Sequence, residues 1–192
     1  MKRAIRLGLV LLAALAAACT NKEGSTEAPV FITVDITVQP GFVDVSVPAP
    51  VQLQTINLAS HLKNPNDPDP QGFANVTLEN YTVSFRRTDG GTKVPPVQSF
   101  GGGGLVPSGG TATLSNYPIL NASAVQGSPF DQLLPFNGGI DRETGKTEID
   151  TAFDLTFFGH TVSGFRVQSQ TASGILIFRY GSAAGAGARA GK

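Results

Sequence analysis

Strict alternation of apolar and polar residues constrains this chain more than any other feature of its sequence. From position 30 to position 38 every second residue is aliphatic, and Thr33, Asp35 and Thr37 stand between them. Successive side chains of a β-strand point to opposite faces, so this spacing places all the aliphatic residues on one face. The segment is therefore predicted to be a strand with one buried face and one hydrated face.

Seven further segments carry a strand signal, which is either alternation or a short apolar run. They are residues 43–47, 51–56, 76–86, 111–116, 149–158, 165–168 and 175–178. In one of them the apolar positions change parity at Glu79 and Asn80. A β-bulge at this point would absorb the change of parity, and one is predicted here.

Glycine and proline separate these segments, with 23 Gly and 13 Pro among 192 residues. Turns are predicted at 89–91 and 141–146. Residues 128–135 give one short helical signal, in which Pro129 takes the first helical position. Eight to ten short strands with one hydrated face each can bury their apolar faces only against each other. The predicted fold is an all-β antiparallel β-sandwich, formed by a single domain at residues 30–180.

The first nineteen residues have the organisation of an export signal. Three basic residues precede an apolar run at 7–15, and three alanines lead to Cys19, the only cysteine. The apolar run is too short to span a bilayer as a finished helix. This pattern resembles the signal peptide and lipobox of bacterial lipoproteins, with Ala16 where that family usually has leucine.

The lipobox resemblance implies that a signal helix at 1–18 is removed and that Cys19 becomes a lipidated N-terminus. Residues 19–29 would then form a tether, and the Gly/Ala-rich residues 181–192 are predicted to be a disordered tail. Each buried acyl CH₂ contributes about 0.8 kcal/mol, so a membrane is the first predicted partner. The absence of aspartate directly after the cysteine implies, by the same resemblance, the outer membrane of the cell envelope. The alternative is a secreted protein cut at the same place, which would carry a free thiol.

The predicted closing strands, at residues 153–180, resemble the last strands of immunoglobulin-like and fibronectin type III-like modules of bacterial surface lipoproteins. This resemblance implies an immunoglobulin-like arrangement of the sandwich. True immunoglobulin domains have a cysteine pair and a buried tryptophan. The chain has one cysteine and no tryptophan, so only the architecture is carried over.

The charge balance excludes one class of partner. Residues 1–18 hold three of the 14 basic residues and none of the 14 acidic ones, so the remaining chain has a formal charge of −3. Proteins that bind nucleic acid usually carry a basic patch or stripe. No nucleic-acid partner is therefore predicted.

Few residues in this chain are suited to catalysis. Nucleophilic hydrolysis needs a hydroxyl or thiol beside a positioned base. The only histidines are His61 and His160, predicted respectively on the surface and in a hairpin turn, and both are read as solvated side chains. A non-enzymatic protein is the leading prediction.

Two acidic loops suggest alternatives to this reading. The first holds four oxygen-bearing side chains: Asn64, Asn66, Asp67 and Asp69. Calcium takes six to eight oxygen ligands, so this loop is a candidate calcium site, although ordinary turns use the same residues. The second has Asp141, Glu143, Glu148 and Asp150 around its turn. An envelope hydrolase could use a carboxylate pair, either Asp67 with Asp69 or Asp141 with Glu143. No other cofactor is predicted.

The leading functional prediction is a lipid-anchored envelope protein whose β-sandwich is a non-catalytic binding or structural module. Its partner would be an envelope protein or a glycan, met by loops or by an exposed strand edge. Five apolar loop residues are candidates for this contact, with local packing as the alternative: Phe100, Leu105, Val106, Phe130 and Phe136. The other functions considered are the hydrolase above and a chaperone for the assembly of outer-membrane components.

Overall fold

The computed structural model describes residues 28–66, 68–69 and 71–181. The predicted signal peptide, Cys19, Asp67 and almost all of the predicted tether and tail lie outside these residues. Ten strands occur in the described part: β1 Val30–Val38, β2 Phe42–Asp44, β3 Val51–Leu62, β4 Val76–Arg87, β5 Gln98–Gly101, β6 Leu105–Val106, β7 Thr111–Leu120, β8 Glu148–Thr161, β9 Arg166–Gln168 and β10 Ala172–Arg179. Within the same residues, no helix has the length and apolar character needed to cross a membrane.

The strands form two sheets. The smaller sheet has the order β1-β3-β7, and the larger has the order β2-β10-β8-β4-β5, with β6 paired to β4 and β9 paired to β8. Neighbouring strands are antiparallel, except that β2 runs parallel to β10. The two sheets pack on one shared apolar core. The prediction of an all-β sandwich is therefore confirmed.

Tyr81 joins the two sheets at the centre of the core. It lies on β4 of the larger sheet and is almost fully buried, with its ring centroid 5.2 Å from that of Phe157 and 5.3 Å from that of Tyr117. Its hydroxyl donates a hydrogen bond to the carbonyl oxygen of Pro118, 2.7 Å away on β7. Burial, with a smaller contribution from Tyr117, raises the pKa of the Tyr81 phenol. The buried hydroxyl of Tyr81 is therefore satisfied by a hydrogen bond that crosses from one sheet to the other.

The predicted bulge in β4 is present. The register of β4 against β8 shifts between Leu78 and Asn80, and the side chains of Leu78 and Tyr81 are both buried. Without the shift, residues three apart would point to opposite faces of the sheet. The bulge therefore explains how both apolar sets of this segment reach the core.

Two local predictions are wrong. Residues 43–47 do not form one strand, because β2 ends at Asp44, whose carboxylate accepts hydrogen bonds from the amide and hydroxyl of Ser46 and turns the chain. His160 is not in a turn, because β8 continues to Thr161.

The helical prediction is only partly right. A 3-10 helix spans Phe130–Leu133, but Pro129 is its cap and not its first residue. One turn of α-helix at Ala122–Val125 was not predicted. Both pieces lie in the long connection between β7 and β8, where they add no layer to the sandwich.

Candidate functional site

Long loops gather at one end of the sandwich, which we call the distal pole and define as residues 88–97 and 121–147. The first loop follows β4 and the second precedes β8. The antiparallel pairing of these strands, with Arg87 opposite Thr151, brings the two loops side by side. The pole thus combines segments that are far apart in sequence.

Arg87 links the two loops through buried ion pairs. Its Nε lies 2.7 Å from Oδ1 of Asp89, and its Nη2 lies 2.6 Å from Oδ2 of Asp141. The three side chains are at most 1% exposed. Gln132 donates from Nε2 to Oδ1 of Asp141, and the Thr144 hydroxyl donates to Oδ2. A buried charge is costly unless it is paired and hydrogen-bonded, and here each charge meets both conditions.

The same contacts hold both carboxylates in the ionised form. Burial alone would raise the pKa of Asp89, but hydrogen bonds from Arg87 and from the amides of Asp150 and Gly91 outweigh it and lower the pKa. For Asp141, burial is again outweighed, here by hydrogen bonds from Thr144 and Arg87, and the pKa is lowered. A general acid needs a raised pKa to hold its proton near neutral pH.

Glu143 is also committed to local contacts. Its carboxylate accepts hydrogen bonds from the amide and hydroxyl of Thr92 and from the amide of Lys93, at 2.7–3.0 Å. The Lys93 amide, followed by the two groups of Thr92, lowers the pKa of Glu143. The hypothesis of a catalytic Asp141–Glu143 pair is corrected accordingly, because Asp141 is inaccessible and both groups hold loops together.

The five predicted partner-contact residues fall into three groups. Val106 and Phe130 are fully buried, and Phe130 stacks on Phe178 with ring centroids 3.7 Å apart. These two assignments are wrong, because both side chains complete the core. Phe100 is half-buried against Tyr81. Two of the five remain exposed at opposite ends of the molecule: Leu105 and Phe136.

Phe136 is the most exposed large apolar side chain of the described residues, at 81%. It stands in a 3-10 helix, Pro135–Asn137, which only Leu134 separates from the largely buried Phe130–Leu133 segment. The amide of Asn137 donates to the carbonyl of Leu134, so the exposed ring is carried on an ordered turn. An aromatic residue held in this way offers contact area with little loss of conformational entropy.

An open groove of about 500 Å³ runs beside this turn. Leu133 and Pro135 line one side, and Glu148, Arg179 and Tyr180 line the other. The guanidinium of Arg179 lies over the ring of Phe42, 4.2 Å from its centroid. The Nε of Arg179 is buried without a hydrogen-bond partner. The groove is therefore lined by both apolar and polar side chains, and Arg179 is its basic residue.

The first acidic loop lies at the opposite end of the sandwich. The Asp69 carboxylate accepts hydrogen bonds from the amides of Phe73 and Ala74, and Asn64 accepts one from the amide of Asn66. Among the residues that the structure describes, no three His, Cys, Asp or Glu side chains form a group able to hold a metal. Asn64 and Asp69 thus make the contacts of turn-forming residues, and with Asp67 outside the described residues the calcium site stays a prediction.

The remaining candidates are placed as follows. His61 lies on the exposed face of β3, where its ring stacks on Phe31 at 4.8 Å. His160 lies on the outer face of β8, with Nδ1 3.1 Å from Oε1 of Glu79. Glu148 lines the groove, and the amide of Asp150 donates a hydrogen bond to the carboxylate of Asp89.

Sequence reasoning missed Arg87 and Gln132. A signal for Arg87 exists, because alternation along β4 places Phe85 and Arg87 on the face that Tyr81 and Val83 present to the core. An arginine at an inward position beside an Asp-Gly turn indicates a buried ion pair. Gln132 has no comparable local signal, since its partner Asp141 is reached only in the folded loop.

Comparison with models of known protein families gave no match, and comparison with curated protein sequences gave none either.

Proposed function

We propose that the chain is a lipid-anchored protein of the bacterial outer membrane, whose sandwich is a non-catalytic binding module with its binding surface at the distal pole. The lipobox-like sequence ending at Cys19 supports the anchor. The observation that carries the binding surface is the Arg87 cluster, which fixes two long loops while Phe136 stays exposed beside the groove. Loops that are rigid before binding lose little entropy when a partner binds.

We further propose that the sandwich is immunoglobulin-like. Three features support this: a small sheet of the first, third and seventh strands, a larger sheet built on the last hairpin, and a short early strand parallel to the final strand. Immunoglobulin domains also bury a large aromatic side chain between their two sheets, as Tyr81 is buried here.

The partner we propose is an envelope protein or a glycan. Both have hydroxyl, carbonyl or carboxylate oxygens that could accept a hydrogen bond from the guanidinium of Arg179, which lines the groove. Both also have apolar faces that pack on an exposed aromatic ring. The lowered pKa values of Asp141 and Glu143 and their engagement in loop contacts favour binding over hydrolysis.

The anchor is tested by mass spectrometry of the N-terminus of the natural protein. Diacylglycerol on Cys19 is expected, and an unmodified cysteine would remove the anchor from the proposal.

The distal surface is tested by placing a photoreactive amino acid at Phe136 in cells and, as a matched control, at Phe31, an exposed aromatic residue near the start of β1. We expect a discrete crosslinked species from position 136 and none from position 31. A photoreactive group at Ile140 should give the same species, and the Phe136→Ala change should abolish it. Equal crosslinking from both positions would contradict the proposed surface. Adducts formed only with unassembled outer-membrane proteins would instead support the chaperone alternative.

A further inference from the structure

Three segments meet at the end of the sandwich opposite the distal pole. We call this end the proximal pole and define it as residues 71–75, 105–110 and 161–165. The amide of Ser163 donates to the carbonyl of Phe73, and the amide of Val162 donates to that of Asn75. The amide of Ser108 donates to Oδ1 of Asn75 at 2.8 Å. These bonds tie the three segments into one rim.

The rim exposes large apolar side chains. Four of them are exposed by 41–56%: Phe73, Leu105, Val162 and Phe165. Two glycines with positive φ, Gly72 and Gly164, stand next to Phe73 and Phe165 and shape the turns that carry these rings. Ordered loops thus hold apolar groups in water.

The same rim is poor in charge. Residues 105–110 and 161–165 contain no Asp, Glu, Lys or Arg, and neither do residues 71–75. The Asp69 carboxylate that precedes the rim accepts two backbone hydrogen bonds, from Phe73 and Ala74. A charged group costs free energy when it enters an apolar phase, so an uncharged rim lowers the cost of such contact.

The described chain also begins at this pole. The carbonyl of Pro29 accepts a hydrogen bond from the amide of Lys63, at the end of β3. Only nine residue steps separate Ala28 from Cys19, and a fully extended chain of that length spans at most about 30 Å. The fourteen residues of β8 extend about 45 Å from this pole to the distal one. An anchor on Cys19 would therefore keep the rim close to the bilayer.

We infer that the proximal rim rests in the membrane interface, with Phe73, Val162 and Phe165 inserted among the lipid headgroups and upper acyl chains. The inference rests on the proposed lipid anchor. Aromatic and aliphatic side chains gain free energy on entering this region, and aromatic rings are favoured there. Such contact would orient the sandwich so that the distal pole points away from the membrane.

Tryptophan fluorescence tests this contact, because the chain has no tryptophan of its own. The full-length protein, purified from membranes, carries Phe73→Trp, Phe165→Trp or, as the distal control, Phe136→Trp. Each is reconstituted into vesicles of phosphatidylethanolamine and phosphatidylglycerol with brominated acyl chains. For the two proximal variants we expect emission at shorter wavelength and several-fold stronger bromine quenching than for the control.

A second pair of changes sharpens the result. Val162→Asp in the Phe73→Trp protein is expected to reduce the quenching, while Ile140→Asp, an exposed change at the distal pole, is expected to leave it unaltered. Circular dichroism on each protein verifies that the fold is kept. Unchanged quenching in the Val162→Asp protein would overturn the inference.

The failures of the anchor and of the contact are distinguishable. Acylated Cys19 by mass spectrometry, combined with equal quenching of proximal and distal tryptophans, overturns the rim contact and leaves the anchor standing. An unmodified Cys19 overturns both the anchor and the rim contact, and mass spectrometry detects it without the fluorescence measurement. A blue shift of the proximal variants in detergent-free solution without vesicles would identify a second copy of the chain, not lipid, as the occupant.

Discussion

The two poles of this sandwich both present exposed aromatic side chains on ordered loops, but they order those loops by different means. At the distal pole, charged side chains do so, with Arg87 between Asp89 and Asp141. At the proximal pole, backbone hydrogen bonds, the side-chain amide of Asn75 and a single carboxylate, Asp69, do so. A pole rich in charge suits an aqueous partner, whereas an uncharged rim suits an apolar surface. Similar exposed rings can thus serve different surroundings.

The largest expected effect comes from breaking the distal cluster. Arg87→Leu leaves Asp89 and Asp141 buried without their counter-charge and is expected to lower the free energy of unfolding by about 3–5 kcal/mol. Urea denaturation of the two proteins measures the difference. Hydrogen exchange should show the loss of protection first at the amides of Gly91 and Asp150, which donate to Asp89.

Arg86→Leu is the matched control for this change. Arg86 is exposed on the outer face of the same strand, with its Nε 3.9 Å from Oδ2 of Asp154. Surface pairs of this kind contribute about 0–1 kcal/mol. Equal destabilisation by the two changes would contradict the distinction between a buried cluster and a surface pair.

Acid should weaken the distal pole. The pKa values of Asp89 and Asp141 are lowered in the folded protein, while the pKa of an aspartate in the unfolded chain is about 3.9. Below that pH the unfolded chain binds more protons than the folded one, so the free energy of unfolding falls as the pH falls toward 2. The free energy of unfolding should be nearly constant from pH 7 to pH 5. Urea midpoints measured over this range give the slope.

Asp141→Asn provides the control for the acid response. This variant is less stable at neutral pH, but it has lost one of the titrating groups, so its stability should depend less steeply on pH. A parent protein whose stability does not change between pH 5 and pH 2 would refute the assignment.

The smallest expected effect is at the proximal pole. Asp69→Ala removes the acceptor of two backbone amide hydrogen bonds and is expected to cost about 1–2 kcal/mol. Hydrogen exchange at Phe73 and Ala74 should increase while that at Thr92 and Lys93 stays unchanged. Asp35→Ala, an exposed change on β1, should have little effect. Loss of hydrogen-exchange protection at both poles of the Asp69→Ala protein would show that the two poles are not stabilised independently of each other.

Alternation allowed much of the sandwich to be predicted, and its failures have local causes. The strand at 76–86 and its bulge at Glu79–Asn80 were predicted because each residue's parity is visible in the sequence. The prediction of a strand at 43–47 was wrong because the Asp44 carboxylate accepts a hydrogen bond from the Ser46 amide and turns the chain there. Phe130 and Phe136 could not be told apart, since both are aromatic residues of one loop and only packing on Phe178 buries the first.

The sequence by itself determined the apolar face of the strands that alternate, such as β1 and β4, because alternation is a local property that needs no knowledge of neighbouring strands. The short strands β5 and β6 were not predicted, and their residues were assigned to loops. The tertiary structure decided which loops meet. Arg87 and Asp141 are 54 residues apart, and only the pairing of β4 with β8 brings their charges to 2.6 Å. The same strand order places three uncharged segments at the end of the sandwich where the described chain begins. Contacts between loops depend on strand order, and strand order is set by packing the two sheets as a whole.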